Sequence, residues 1–175
     1  MRSKTETMNG LPSYNLENLS VLYLEKCENL RLTMKTMLRE LGIKNILEPV
    51  DISEAPDMVV QKVPDLIITD WAPDFDALKF VDQVRGEIQS DSRFTPIIIN
   101  SAYSRSAYIK IARDHGISDY LVKPSSPIDI YKRICALIAS SRQFVECDTY
   151  FGPDRRFQES DFNGKDQRVT PPIDD

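Results

Sequence analysis

The sequence predicts a doubly wound α/β fold, a five-stranded parallel sheet with helices on both faces. Three observations predict it. Five short aliphatic runs lie between residues 21 and 122 without the polar alternation of half-exposed strands, which suits strands buried on both faces. Stretches with the apolar spacing of helices separate them. Alternation of β and α over about 120 residues implies a parallel sheet with right-handed crossovers.

The first strand is read at Val21–Leu24. Leu30, Met34, Met37, Leu38 and Leu41 form the stripe of the first helix, which Gly42 stops from a C′ position. The second strand centres on Ile46–Leu47, and a weaker helical pattern follows around Ser53–Gln61. Leu66–Thr69 is the third strand, followed by a stripe of Ala77, Phe80, Val81, Val84 and Ile88. The fourth strand, Ile97–Ile99, precedes a stripe of Ala107, Tyr108, Ile111 and Ala112 that ends at Gly116 and leaves Ile109 facing solvent. Tyr120–Val122 is the fifth strand. The last helix carries Ile130, Ile134, Leu137 and Ile138 behind Ser126 as N-cap and Pro127 at N1.

With 41% apolar and 28% charged residues, the 175-residue chain has the composition of a globular protein. No run approaches the roughly 18 apolar residues of a membrane span. Cys27, Cys135 and Cys147 are too few and too scattered for a disulfide framework or a metal cluster, and no signal-peptide pattern opens the chain. A cytoplasmic protein is expected. The net charge of −5 argues against DNA as a partner. Residues 1–18 carry two basic and two acidic groups, residues 19–145 carry 16 and 17, and residues 146–175 carry 4 and 8. The acidity therefore belongs to the end of the chain. The expected organisation is a polar lead-in over 1–18, one domain over 19–141, and an acidic, disordered tail over 142–175 that lacks a packed core.

In such a sheet, ligands gather beyond the carboxyl ends of the strands. The first strand ends in Glu25-Lys26, the third in Asp70-Trp71, the fourth in Asn100-Ser101-Ala102 and the fifth in Lys123-Pro124. Two carboxylates, a hydroxyl and up to two ammonium groups converge on one rim. CENLR follows the first strand in place of a Gly-rich phosphate loop, which disfavours a dinucleotide or flavin site.

Three segments, PDLIITDW (64–71), PIIINSA (96–102) and GISDYLVKP (116–124), stand in order on this pattern. Together they resemble the receiver domain of two-component response regulators over residues 19–141. The resemblance implies strand order 2-1-3-4-5, a flavodoxin-like arrangement. It assigns Asp70 as phosphoacceptor, Ser101 as switch hydroxyl, Tyr120 as switch aromatic and Lys123 as the phosphate-binding lysine, with Lys123–Pro124 a candidate cis peptide. It also implies Mg²⁺ held at Glu25 and Asp70, a histidine kinase or phosphotransfer protein as donor, and a downstream protein target. Transfer to a carboxylate is then mostly positioning and charge neutralisation. The implied readout is movement of Ser101 toward the phosphate and repacking of Tyr120 behind it.

Two departures from the family pattern both fall on the metal site. Where the family's first strand ends in two acids, this chain has Glu25-Lys26. An ammonium in place of a carboxylate makes a poor site for a hard cation. Lys26 is instead expected beside Asp70 as a counter-charge that lowers its pKa. The loop after Asp70, DWAPDFDA, is one residue shorter than usual.

Two functions stay open. One is a single-domain response regulator in a bacterial phosphorelay, signalling through protein contacts and catalysing no metabolic reaction. The other is a phosphorylation-independent receiver acting as an adaptor through its output face and tail. The tail segment YFGPDRRFQ (150–158) offers Arg155 and Arg156 as binding residues, weakly similar to the Arg-rich tails with which some stand-alone receivers bind a cyclic dinucleotide. The thirty residues of 146–175 are too few for a helix-turn-helix. Trp71 is expected at the rim, His115 at the surface and Asp76 as an N-cap.

Overall fold

A computed structural model of the chain describes residues 7–8, 11–88, 90–139, 143–147, 150–154 and 168–169. Five strands, β1 (Ser20–Leu24), β2 (Asn45–Leu47), β3 (Leu66–Thr69), β4 (Ile97–Ser101) and β5 (Asp119–Val122), form a parallel sheet. Their order is β2-β1-β3-β4-β5, as the resemblance implies. The strands alternate with α1 (Glu28–Glu40), α2 (Ala55–Lys62), α3 (Ala77–Asp82), α4 (Ser106–Asp114) and α5 (Pro127–Ala139). A π-helical turn over Gln83–Glu87 extends α3.

Every residue of β1, β3 and β4 is buried, because helices cover both faces of the sheet. Successive side chains on a strand point to opposite faces. Leu22, Leu24, Ile67, Ile97 and Ile99 accordingly pack with Val59 of α2, Phe80 and Val81 of α3 and Ala112 of α4. Val21, Tyr23, Ile68 and Ile98 pack with Met34 and Leu38 of α1 and Ile130 and Ile134 of α5. Gly42, at φ +90°, ends α1 as expected. At the start of α5, Ser126 and Asp129 cap each other's backbone N–H groups, at 3.1 and 3.3 Å, as in a capping box.

Three expectations are corrected. Ile109 does not face solvent; it is half-buried against the core, while Ile111 of the expected stripe is 43% exposed. Tyr108 packs beside Trp71 and Tyr103 at the rim, which rotates α4 so that Ile109 and Ala112 face the sheet. The polar lead-in reaches into the core at its end, where Leu16 is buried and Tyr14 donates its N–H to Tyr131 Oη at 3.0 Å.

The tail expected to lack a packed core is structured over residues 143–147 and 150–154. There β6 (Phe144–Cys147) and β7 (Tyr150–Pro153) form an antiparallel hairpin, and Arg168–Val169 pairs with the other edge of β6. Gly, Pro and acidic residues suggested disorder, but Phe144 and Phe151 supply the apolar area that anchors the hairpin. Phe94 packs edge-on to Phe144 and Phe151, with ring centroids at 5.1 and 5.3 Å. The buried Arg85 guanidinium lies over Phe144 at 5.2 Å, and Arg93 lies over Phe151 at 3.6 Å. Gly116, at φ +93°, sits directly under this hairpin: a Cβ there would lie 2.5 Å from the Phe151 carbonyl oxygen. Arg155 and Arg156 lie outside the described residues.

Candidate functional site

The carboxyl ends of β1, β3, β4 and β5 bring Glu25, Asp70, Ser101 and Lys123 to one edge of the sheet, as the strand endings foretell. Glu25 and Asp70 are both buried. Lys123 Nζ donates to Glu25 Oε2 at 2.6 Å and to Asp70 Oδ1 at 2.8 Å, so one ammonium bridges the two carboxylates. Lys123–Pro124 is cis. The Asp70 carboxyl is pushed above its ordinary value, first by burial and also by the charge of Glu25, against the opposing pull of Lys123. Burial alone would lower the Lys123 ammonium, yet its bonds to Asp70 and Glu25 outweigh burial and raise it.

The Lys26 expectation is corrected. Lys26 is exposed, and its ammonium donates to the Asp74 carbonyl oxygen in the β3–α3 loop. Asp70 is raised rather than lowered, and Lys26 is not among the groups that set its shift. Arg31, which strand-end reasoning missed, donates from Nη1 to the backbone carbonyls of Glu25 and Lys26 at 2.9 and 3.4 Å. A cleft of about 270 Å³ is lined by Glu25, Lys26, Asp70, Trp71, Asp74 and Lys123, among others.

Ser101 is fully buried; its Oγ donates to the Trp71 carbonyl at 2.5 Å and accepts the Tyr103 N–H at 3.1 Å. Tyr120 is buried too, and its hydroxyl donates to the Tyr103 carbonyl at 2.7 Å. Ser101 and Tyr120 therefore meet at Tyr103. Trp71 and Tyr103 stand edge to face at 5.2 Å, while Tyr103 and Tyr108 stack at 4.7 Å. This cluster runs from the residue after Asp70 into α4. The spacing of aromatics in AYSRSAY (102–108) was the signal for it in the sequence. Asp76 caps α3 as expected, and His115 pairs with Asp82 at 2.6 Å on the surface.

The family model described as the response regulator receiver domain matches residues 21–135. The chain belongs to the response regulator receiver family. Over 126 residues it is 31% identical to the transcriptional regulatory protein PdtaR of Mycobacterium tuberculosis, a match covering 71% of this chain and 59% of PdtaR. The chain thus spans less than two thirds of PdtaR's length. It is 24% identical over 119 residues to the chemotaxis protein CheY-3 of Vibrio cholerae, covering 67% of this chain and 90% of that protein. Among solved structures, a receiver domain of a sensor histidine kinase from Pseudomonas aeruginosa superposes with a TM-score of 0.61 at 24% identity. That match covers 70% of this chain and 98% of the Pseudomonas chain, which carries a magnesium ion in its active-site cleft. A putative response regulator from Chloroflexus aurantiacus superposes at 0.62 with 21% identity, covering 70% and 98%. These likenesses support the receiver fold. The named relatives are regulatory and chemotaxis proteins rather than metabolic enzymes. Among the described residues, no helix is long and apolar enough to cross a membrane.

Proposed function

We propose that the receiver accepts a phosphoryl group on Asp70 from a histidine kinase or phosphotransfer protein and passes the signal to a protein partner. The observation that carries this reading is the Lys123 ammonium at 2.8 Å from Asp70, with the Ser101 hydroxyl at the adjacent strand end. In this reading Asp70 is the nucleophile. Lys123 shifts from the carboxylates to the phosphoryl oxygens, and Ser101 exchanges the Trp71 carbonyl for a phosphoryl oxygen. Loss of that bond frees the Tyr103 segment, which Tyr120 and Tyr108 hold, so the output is the β4–α4 loop and the α4 face.

A divalent cation of the kind in the Pseudomonas cleft fits these residues poorly. Glu25 Oε1 accepts the Cys27 N–H at 2.9 Å, and Glu25 Oε2 and Asp70 Oδ1 are taken by Lys123. The place of the second acid holds an ammonium, and the Ala72 carbonyl accepts the Phe75 N–H at 3.0 Å. Among the described residues, no three acidic, His or Cys side chains are grouped to hold a metal. No step is assigned to a metal.

Incubation with acetyl phosphate tests the reading by intact mass. The expected result is a gain of one phosphoryl group that Asp70→Asn abolishes. No gain, or a gain that persists in Asp70→Asn, removes Asp70 from this role.

A further inference from the structure

The two departures at the rim share one electrostatic consequence. The family pattern described above sets three carboxylates against one lysine and a divalent cation, which balance to zero. Here the cleft is lined by three carboxylates, Glu25, Asp70 and Asp74, and by two ammonium groups, Lys26 and Lys123. The chain itself thus supplies two of the three positive charges that the family pattern sets against its carboxylates. A divalent cation added to this set would leave an excess of positive charge, and it would have to displace Lys123 from oxygens it already holds at 2.6 and 2.8 Å. Lys26 also makes a connection of its own. By donating to the Asp74 carbonyl, it ties the segment after β1 to the loop after β3.

We propose that Lys26 replaces the divalent cation of this site, so that Asp70 takes up a phosphoryl group without any metal. The proposal rests on Asp70 being the phosphoacceptor. A lysine ammonium carries three N–H donors, and Lys26 spends one on Asp74. The others serve oxygens entering the cleft that Lys26 and Asp70 both line. Lys123 covers the side toward Glu25, and Lys26 covers the side toward the β3–α3 loop. With acetyl phosphate the step balances within the site. A bond forms between an Asp70 carboxylate oxygen and phosphorus as the bond from phosphorus to the acetate oxygen breaks. Acetate leaves with the bonding pair, and no proton is transferred. Charge neutralisation by fixed donors is what this reaction asks of the protein. An ammonium is a weaker neutraliser than Mg²⁺, so the device exchanges speed for independence from the cation.

Two measurements on the full chain test it. In the first, the protein is labelled with acetyl phosphate in excess EDTA and in excess Mg²⁺. Equal labelling is expected, with a loss of about tenfold in Lys26→Ala, as for one charge-assisted contact, and recovery in Lys26→Arg. Labelling that requires Mg²⁺ overturns the proposal and leaves Asp70 as phosphoacceptor. In the second, Trp71 emission is followed while Mn²⁺ or Mg²⁺ is added in the absence of phosphodonor. The wild type is expected to give no saturable change, whereas Lys26→Asp, and Lys26→Asn to a lesser degree, acquire one. Saturable binding by the wild type overturns the proposal. If labelling fails under every condition while the titrations behave as expected, the phosphoacceptor reading falls. Replacement of the cation by Lys26 then stands as a property of the site.

Discussion

Lys123 holds Glu25 and Asp70 together with one ammonium, yet Asp70 still keeps its proton more tightly than an ordinary carboxyl. Burial and the neighbouring Glu25 charge outweigh the single partner. This has a consequence for stability with a definite sign. A group whose folded pKa lies above its unfolded value favours the fold while protonated and loses that contribution as pH rises through the folded value. Ionised Asp70 therefore weakens the fold at neutral pH. Asp70→Asn is expected to raise the urea midpoint at pH 7 with an unchanged slope, and the gain should close below the ordinary value of 3.8. A lower midpoint at pH 7 would show that pairing with Lys123 outweighs burial. At this scale the sequence read which side chains share the rim, and read their surroundings poorly. The strand endings put Glu25, Asp70 and Lys123 on one rim, where the structure joins them. The direction of Lys26 was missed, because its partner is a backbone carbonyl supplied by the loop after Asp70.

The strands and helices were legible because their signals are local. β3 was placed at its observed bounds, and β1, β4 and β5 differ by one or two residues at an end. α4 shows where a local signal runs out. A nine-residue helix with apolar residues at 107, 108, 109, 111 and 112 admits more than one stripe, and contacts at Tyr108 choose between them. The β6–β7 hairpin was hidden for a related reason: its partners Arg85, Arg93, Phe94 and Gly116 are distant in sequence. Arg85 is fully buried, donates to the Gly116 carbonyl at 3.0 Å, and is pulled down to about 9 by burial. Its Nη2 lacks a hydrogen-bond partner among the described residues. Stacking on Phe144 compensates only part of that cost. Phe144→Ala is therefore expected to destabilise the protein by about 3 kcal/mol, the low end for a buried Phe, read from the shift in urea midpoint. A loss within about 0.5 kcal/mol, the range of ordinary surface substitutions, would mean that the hairpin does not hold the domain.

The Asp70 rim and the hairpin lie at opposite ends of the sheet. Asp70, Ser101 and Lys123 end or follow their strands, while Phe94 and Gly116 precede β4 and β5. The five residues of β4 alone separate the two ends by roughly 16 Å at about 3.3 Å per residue. The described contacts of the hairpin reach Arg85, Arg93, Phe94 and Gly116, and none of these touches the Lys123–Asp70–Glu25 cluster. The fold thus separates an edge where the buried Asp70 carboxylate weakens it from a clamped edge where aromatic rings and arginines strengthen it. Substitutions this far apart with no shared partner combine additively. The double variant Asp70→Asn with Phe144→Ala should show a stability change equal to the sum of the single changes within about 0.5 kcal/mol. Phe144→Ala alone should leave the extent of Asp70 labelling by acetyl phosphate unchanged at temperatures where the variant is folded. A coupling energy well above that bound, or a labelling defect in folded Phe144→Ala, would mean that the hairpin regulates the reactive edge through the sheet and does more than brace the opposite end.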